Sequence, residues 1–285
     1  MTIMLIGARG QLGSDLAAVL PSFVPLDHDQ FEVTDREQVR WEIGRSRPTV
    51  VINTAAYNLV DRAESEPEIA HRVNVTGPEN LAIACAEVGA KLVHFSTDFV
   101  FGGQNLTRPY REDDPPAPQS VYAQSKWEGE QKVAEFCPHY LIIRTCGLYG
   151  RAGTRAKGNF VTTMLKLGAE RSEVRVVSDQ HCTPTFTTDL AECVVQLLNR
   201  DATGLLHITN SGAASWAEFA AEIFRRAKLP TQVVPLTSAE FAAGRTSPTA
   251  PRPSSSVLDC GRLASRWGLQ LRPWPAALQA FLDLS

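Results

Sequence analysis

The sequence predicts an α/β protein with a doubly wound parallel sheet and a smaller C-terminal α+β lobe. Through the first half of the chain, short apolar segments alternate with amphipathic stretches. Short, fully apolar strands are typical of parallel strands covered by helices on both faces. A glycine-rich turn joins the first strand to the first helix. We assign residues 1–148 to a dinucleotide-binding domain and residues 149–285 to a substrate-binding lobe, from which one or two strands return to the main sheet.

Strands and helices are predicted to alternate up to Arg144. The strands are Thr2–Ile6, Val24–Leu26, Val50–Asn53, Lys91–Phe95 and Tyr140–Arg144. The helices are Gln11–Leu20, Arg36–Ser46, Glu68–Val88 and Val121–Phe136. Ligands of such sheets bind beyond the carboxyl ends of the strands, which is where most candidate residues below fall.

The alternation loosens in the second half. Two loops are predicted: Gly150–Gly158 is expected to be mobile, and Gly244–Ser256, with its prolines and serines, is expected to be an ordered crossing loop or a flexible lid. The predicted elements are strands at Val174–Ser178 and Leu205–Thr209 and helices at Asp189–Asn199 and Ser215–Lys228, the last with a capping box of Ser215 and Glu218.

Composition excludes several classes of protein. A net charge of -3 provides no basic field for nucleic acid. No apolar run reaches about 18 residues and no signal core precedes the first strand, so we expect a cytoplasmic protein without a membrane partner. The six cysteines lack CxxC spacing, which predicts reduced packing thiols and no metal site.

The glycine turn predicts a dinucleotide site. Its glycines let the turn close, the pyrophosphate approach and the helix pack, and the helix N-terminus favours an anion. The predicted cofactor-binding residues of this turn are Gly7, Arg9, Gly10, Gln11, Leu12 and Gly13.

Two residues give opposing indications about the cofactor. Asp27, at the end of the second strand, is placed to accept hydrogen bonds from ribose hydroxyls, which favours NAD. Arg9 is placed to pair with a ribose 2′-phosphate, which favours NADP. We expect NADPH, with NADH as the alternative.

Tyr122 and Lys126 predict proton transfer beside the dinucleotide, because positions i and i+4 share a helix face. The pKa of a phenol must fall by about three units, or roughly 4 kcal/mol, to exchange protons readily near neutrality. An ammonium about 4 Å away, at an effective dielectric constant near 20, supplies energy of that order. Each motif is common by itself, but together and in this order they indicate a nicotinamide oxidoreductase.

With these residues in place, the chain resembles the extended short-chain dehydrogenases/reductases, and among them the dTDP-4-dehydrorhamnose reductase family. The resemblance covers nearly the whole length and implies a Rossmann-like fold. It also implies the NADPH-dependent reduction of dTDP-6-deoxy-L-lyxo-4-hexulose to dTDP-L-rhamnose. The matching segments are Asn53–Tyr57, Val60–Glu66, Val73–Asn74, Phe95–Gly102, Tyr122–Glu130, Arg144–Thr145, Gly158–Val161, Asp179–Gln180, Pro184–Thr185 and Arg252–Pro253.

The resemblance assigns further roles. Thr97 joins Tyr122 and Lys126 as a catalytic residue whose hydroxyl bonds the substrate carbonyl. The expected adenosine and ribose contacts are Glu32, Val33, Ala55, Ala56, Tyr57 and Asn74, the two alanines leaving room along the sheet edge. The expected substrate contacts are Thr97, Asp98, Phe99, Asn159, Phe160, Gln180, Thr185 and Arg252, the arginine binding the diphosphate.

The chain also departs from the family pattern. Cys146 and Gly147 stand where serine and tryptophan are usual, Ala123 where glycine is frequent, and Cys182 where we expect glycine. The missing tryptophan would remove an apolar wall beside the sugar.

Two other functions remain open on the sequence. One is a nucleotide-sugar epimerase or dehydratase with tightly bound NAD. The other is a non-catalytic regulatory subunit like that of methionine adenosyltransferase. The sequence also leaves a homodimer open.

Overall fold

The structure, a computed structural model, describes residues 2–104, 106–152, 158–245 and 249–284. Its centre is a six-stranded parallel sheet in the order β10-β5-β4-β3-β1-β2. The predicted α/β fold is confirmed. Of the C-terminal strands, β10 returns to the main sheet beside β5, while the division at residue 148 stays a prediction.

The strands are β1 (Ile3–Ile6), β2 (Val24–Leu26), β3 (Val50–Asn53), β4 (Lys91–Thr97), β5 (Tyr140–Thr145), β6 (Leu148–Tyr149), β7 (Glu173–Val177), β8 (His181–Cys182), β9 (Thr185–Phe186), β10 (Gly204–His207), β11 (Ala214–Ser215) and β12 (Gln232–Leu236). The helices are α1 (Gln11–Val19), α2 (Arg36–Ser46), α3 (Val60–Ala63), α4 (Pro67–His71), α5 (Gly77–Val88), α6 (Val121–Phe136), α7 (Phe160–Glu170), α8 (Thr187–Asn199), α9 (Trp216–Arg226), α10 (Ser238–Ala243), α11 (Gly261–Trp267) and α12 (Trp274–Asp283).

The central strands are apolar throughout because both faces of the sheet are covered. Alternate residues of a strand point to opposite faces, so Ile3 and Leu5 pack with α1 and α8, whereas Met4 and Ile6 pack with α2 and α5. A third core, rich in aromatic residues, forms between α7, α9 and α12 in the C-terminal lobe. Small two-stranded pairings (β7 with β12, β8 with β11, β6 with β9) complete that lobe.

The predicted helix Glu68–Val88 is interrupted. It forms α4, a π-helical turn at Arg72–Thr76, and α5. Pro78 lacks a backbone N–H, so a regular ladder of hydrogen bonds is not available across this point. The interruption was missed because apolar periodicity does not register one inserted residue.

The two predicted loops have different outcomes. Most of Gly150–Gly158 lies outside the described residues. In Gly244–Ser256, residues 246–248 also lie outside, but residues 249–256 are held: His181 donates its backbone N–H to Ser254, and Ser256 donates its own to His181, both at 2.9 Å. The capping box of Ser215 and Glu218 is confirmed.

A buried ion pair fixes α6 to the sheet. The Arg144 guanidinium on β5 donates from Nε and a terminal nitrogen to both Glu130 oxygens, at 2.6–3.1 Å. Both side chains are at most 6% exposed. Such a pair costs a large desolvation penalty, and removal of one partner leaves an uncompensated buried charge.

No helix among the described ranges has the length and apolarity required to cross a membrane.

Arg144→Leu is expected to lower the free energy of unfolding by about 3–5 kcal/mol, because it leaves Glu130 buried without a partner. Urea denaturation measures the change. The double substitution Glu130→Leu/Arg144→Leu should recover most of the loss, and Arg45→Leu, at an exposed pair with Glu42, should cost about 1 kcal/mol or less. Equal losses in the single and double variants would show that the lost packing, not the charge, is responsible.

Candidate active site

The glycine turn is as tight as the sequence predicts. Gly7 has φ +78°, and a Cβ there would lie 2.7 Å from Thr54 Oγ1. A Cβ on Gly13 would lie 2.0 Å from the Gly7 carbonyl oxygen, so only glycine allows α1 to start this close to β1. The N-cap of α1, Gly10, provides no side-chain cap. The first turn of α1 therefore keeps the character of an anion-binding helix terminus.

Arg9 and Asp27, the two residues with opposing indications, bind each other. The Arg9 backbone N–H donates to Asp27 Oδ1 at 2.9 Å, and Arg9 Nε lies 3.2 Å from Oδ2. The Arg9 side chain is 69% exposed, and it also reaches Asp29 at 3.0 Å. The aspartate thus holds the arginine at the edge of the site and neutralises part of its charge.

The expected adenosine and ribose residues lie in the segment between β2 and α2, in the segment after β3 and in the π-helical turn. Val33 is buried, and a Cβ on Gly77 would lie 2.9 Å from Val33 Cγ2. Glu32 is partly exposed and accepts the Thr34 N–H. Ala55 is bonded through its N–H to Asn53 Oδ1 at 3.0 Å, and Ala56 is exposed.

Asn74 connects the segment after β3 to α6 through side-chain hydrogen bonds. Its amide accepts the Tyr57 N–H at 2.9 Å and donates to Tyr57 O and to Ser125 Oγ, each at 3.0 Å. The Tyr57 hydroxyl donates to Glu66 at 2.6 Å. A Cβ on Gly129 would lie 2.1 Å from Asn74 O, so α6 and the π-helical turn touch backbone to backbone. The π-helical turn and α6 hold Asn74 and Tyr57 in place.

The N-terminus of α6 carries Tyr122 into the site. Ser120 caps the helix by accepting the Ala123 N–H, and Glu64 accepts the Val121 N–H at 2.9 Å. A carboxylate is stabilising at this end of a helix. The role of Glu64 was missed, although its Val-Asp-x-Ala-Glu motif was recognised, because the motif does not reveal which helix it meets.

Thr97 ends β4, and its hydroxyl lies beside Tyr122. It accepts the Phe99 N–H at 3.2 Å and donates to Asp98 Oδ1 at 3.0 Å. The Phe99 ring meets the Tyr122 ring edge-on, with centroids 6.1 Å apart. The hydrogen bond from Thr97 acts to lower the pKa of Tyr122. Thr97, Asp98, Phe99 and Tyr122 are therefore brought together.

The prediction that Lys126 lowers the pKa of Tyr122 is wrong for this arrangement. Burial raises the pKa of Tyr122 to about 12, and the Asp98 charge adds to the rise. Lys126 donates to Phe95 O at 2.7 Å, and burial lowers its pKa to about 8, opposed by Glu130. The Coulombic calculation from sequence left out desolvation, which dominates for groups buried in one helix–sheet interface.

Several expected substrate residues belong to the lobe. Asn159 caps α7 and donates to Gln11 Oε1 at 3.1 Å, which joins it to the glycine turn. Phe160 packs on Trp216 and Phe219, with centroids 4.7 and 5.5 Å apart. Gln180 bonds Ser238 at 2.8 Å, and Thr185 is fully buried with its hydroxyl on Thr183 O at 3.1 Å. The Thr185 side chain therefore contacts protein on all sides, and its substrate role stays a prediction.

Arg252 is anchored by a carboxylate that we did not single out. A terminal guanidinium nitrogen lies 2.7 Å from Asp61 Oδ1, which also accepts the Ala250 N–H at 3.1 Å. Arg245 reaches the same carboxylate at 3.5 Å. Asp61, which lies in α3, thus forms ion pairs with two arginines of the C-terminal segment, the described residues of the stretch 244–256.

Gly147, which stands where the family has tryptophan, has φ +56°. A Cβ there would lie 3.1 Å from Pro184 Cα, and the Gly147 carbonyl accepts the Thr185 N–H. Cys146 beside it is buried, with Sγ 2.9 Å from Thr183 O. The backbone conformation at this position therefore favours glycine over tryptophan, because residues other than glycine are strained at this φ.

Comparisons with known proteins agree with this geometry. A family model described as RmlD substrate binding domain matches residues 1–285. A dTDP-4-dehydrorhamnose reductase of Streptomyces griseus is 42% identical over 290 residues, which cover 96% of this chain and 91% of the relative. The spore coat polysaccharide biosynthesis protein SpsK of Bacillus subtilis (strain 168) is 38% identical over 285 residues, which cover 99% and 96%.

A crystal structure of dTDP-4-dehydrorhamnose reductase from Bacillus anthracis str. Ames in complex with NADP superimposes with a TM-score of 0.94. It is 37% identical and covers 100% of this chain and 99% of that one. Because the family model and these relatives span essentially the whole chain, the protein belongs to the RmlD substrate-binding-domain family, among relatives that include dTDP-4-dehydrorhamnose reductases.

Proposed function

We propose that the protein reduces the 4-keto group of dTDP-6-deoxy-L-lyxo-4-hexulose to dTDP-L-rhamnose with NADPH. The observation that carries the proposal lies at the carboxyl end of β4, where the Thr97 hydroxyl bonds Tyr122 and Lys126 donates to Phe95 O. The carboxyl ends of parallel strands lie at one edge of a sheet, so this group shares its edge with the glycine turn after β1.

The residues of the turn fit a dinucleotide. Gly7 and Gly13 let the turn pack closely between β1 and α1, and α1 begins without a side-chain cap, so the N–H groups of its first turn are available to an anion. Gly7, Gly10, Gln11, Leu12 and Gly13 would hold the pyrophosphate. When bound, the reduced nicotinamide supplies the hydride.

The protein residues supply the proton and the placement. Tyr122 donates its phenolic proton to the developing alkoxide, and the Thr97 hydroxyl bonds the same oxygen. Lys126, held at Phe95 O, provides a cation below a pH of about 8 and would bond the nicotinamide ribose. Arg252 binds the diphosphate from the C-terminal segment.

The ion pair of Arg9 with Asp27 supports NADPH over NADH. The guanidinium is already gathered at the end of β2 and is 69% exposed, so a 2′-phosphate could replace part of its carboxylate pairing. Asp27, bonded to the Arg9 backbone and side chain, is less available to ribose hydroxyls. NADH remains usable, because the aspartate keeps its position.

The decisive experiment is a spectrophotometric assay of NADPH oxidation with the dTDP-linked 4-keto-6-deoxy sugar beside its GDP and UDP counterparts. Turnover with the dTDP sugar is expected. Stoichiometric NAD on the purified protein without net NADPH consumption would favour an epimerase or dehydratase. Absence of both would favour a non-catalytic subunit.

Tyr122→Phe should lower kcat by roughly 100-fold or more, because general-acid catalysis contributes that much. Binding of NADPH, measured by fluorescence titration, should be nearly unchanged. Tyr140→Phe, at the opposite end of the sheet, is the matched control and should retain activity. Undiminished turnover in Tyr122→Phe would exclude Tyr122 as the acid.

Arg9→Ala should weaken binding of NADPH more than binding of NADH, because only NADPH carries the 2′-phosphate. Dissociation constants for the two cofactors measure the difference, and Arg40→Ala on exposed α2 is the control. A parallel loss of affinity for both cofactors would remove the 2′-phosphate assignment.

Arg252→Ala should chiefly raise the KM for the sugar nucleotide, while kcat and the KM for NADPH change little. The loss of one charge-assisted pair corresponds to about 10-fold or more in KM. Steady-state kinetics with each substrate varied give the result. A KM that stays at the wild-type value would count against the diphosphate role of Arg252.

A further inference from the structure

Asp98 occupies a position that the proposed reaction does not yet use. Its carboxyl group is buried directly behind Thr97, and each oxygen accepts from one hydroxyl: the Thr97 hydroxyl donates to Oδ1 at 3.0 Å, and the Ser256 hydroxyl donates to Oδ2. Burial raises the pKa of Asp98 to about 7, against the opposing effect of these two hydrogen bonds and of the backbone N–H groups of Asp98 and Phe99. The group therefore exchanges between its neutral and ionised forms near neutral pH.

The ionisation state of Asp98 decides where the Thr97 hydroxyl proton points, because Thr97 has few hydrogen-bonding positions. A hydroxyl has one proton and two lone pairs, and one lone pair of Thr97 accepts the Phe99 N–H. An ionised Asp98 can only accept hydrogen bonds, so it accepts the Thr97 O–H. The Thr97 hydroxyl then has no proton left to donate to a ketone oxygen. A neutral Asp98 donates to Thr97 instead, which fills the second lone pair and directs the Thr97 proton toward Tyr122 and the substrate.

We propose that Asp98 is a positioning residue whose neutral form aims the Thr97 hydroxyl proton at the substrate ketone, and that Ser256 sets the pH range of this form. The proposal rests on the proposed reductase function. It assigns a role in the reaction to Ser256, a residue of the segment that also carries Arg252.

Ser256 is suited to this role because its contacts are independent of the catalytic strand. Its backbone N–H is bonded to His181 O in β8, and its side chain is 2% exposed. Its hydroxyl donates to Oδ2 in either state of Asp98, but a donor stabilises the anion more than the neutral acid. Loss of this donor would raise the pKa of Asp98.

The other titratable groups around Asp98 come from α6, from the β5–β6 connection and from β8. Burial raises the pKa of Tyr122 on α6 and of Cys146 after β5, and the Asp98 charge adds to both increases. Cys182 of β8 raises the pKa of Cys146 further. Tyr122 and Cys146 stay neutral where Asp98 titrates. Lys126, farther along α6, loses its charge near a pH of about 8 and contributes a separate decline.

The test is the pH dependence of kcat at saturating NADPH and sugar nucleotide. Wild-type kcat should fall about 10-fold per pH unit above a midpoint near 7. Asp98→Asn, whose amide donates to Thr97 at every pH, should lose the fall in kcat near pH 7, whatever its absolute kcat, and decline only with Lys126. Ser256→Ala should move the midpoint upward by about one pH unit. Asp113→Asn and Ser255→Ala are matched controls that should keep the wild-type profile.

A second measurement separates this proposal from the proposed function. NMR titration of ¹³C-labelled aspartate carboxyls, with Asp98 identified by its loss in Asp98→Asn, reports its pKa without turnover. A midpoint near 7 that rises in Ser256→Ala supports the proposal. Turnover with an ordinary Asp98 titration overturns the positioning role alone, whereas the absence of turnover overturns the function and the role built on it.

The kinetic outcomes are equally decisive. An unchanged midpoint in both variants overturns the proposal, as does an Asp98→Asn protein whose kcat keeps the wild-type fall near pH 7. If Asp98→Asn does not fold or is inactive at every pH, the midpoint of Ser256→Ala decides by itself.

Discussion

The buried ion pair of Glu130 with Arg144 determines where the catalytic helix lies on the sheet. Glu130 stands one helical turn after Lys126, and its charge raises the pKa of that lysine against the effect of burial. The same contact therefore holds α6 against β5 and keeps Lys126 cationic closer to neutral pH. With the helix fixed at this point, Gly129 meets the π-helical turn and Tyr122 reaches Thr97.

The C-terminal segment links the two ends of the proposed substrate site. Arg252 is tied to Asp61 beside α3, Ser256 is tied to Asp98 behind β4, and the backbone between them pairs with β8. The diphosphate would thus meet Arg252 directly, whereas Ser256 of the same segment would act on the ketone only through Asp98 and Thr97. Movement of this segment would shift both Arg252 and Ser256. It would therefore alter diphosphate binding and the orientation of the Thr97 hydroxyl together.

Much of the site was predictable because its residues follow strand ends. The bounds of β2, β3 and α6 were predicted as observed, so Thr97 ends β4 and Tyr122 and Lys126 lie on the helix packed against it, while their catalytic roles stay a prediction. The roles of Asp61, Glu64 and Ser256 were not predictable, since each depends on a partner far along the chain. The π-helical turn and the tuning of Tyr122 were also missed, because inserted residues and desolvation leave no signal in residue spacing.

The sequence by itself determined the order of strands and helices, the glycine turn and the candidate catalytic residues, because these depend on local periodicity and on steric demands that only glycine meets. Only the tertiary structure decided that Arg9 and Asp27 pair, that Asp61 anchors Arg252, and that burial raises the pKa of Tyr122. The physical reason is that hydrogen bonds and desolvation depend on distances between segments, which no spacing along a chain specifies.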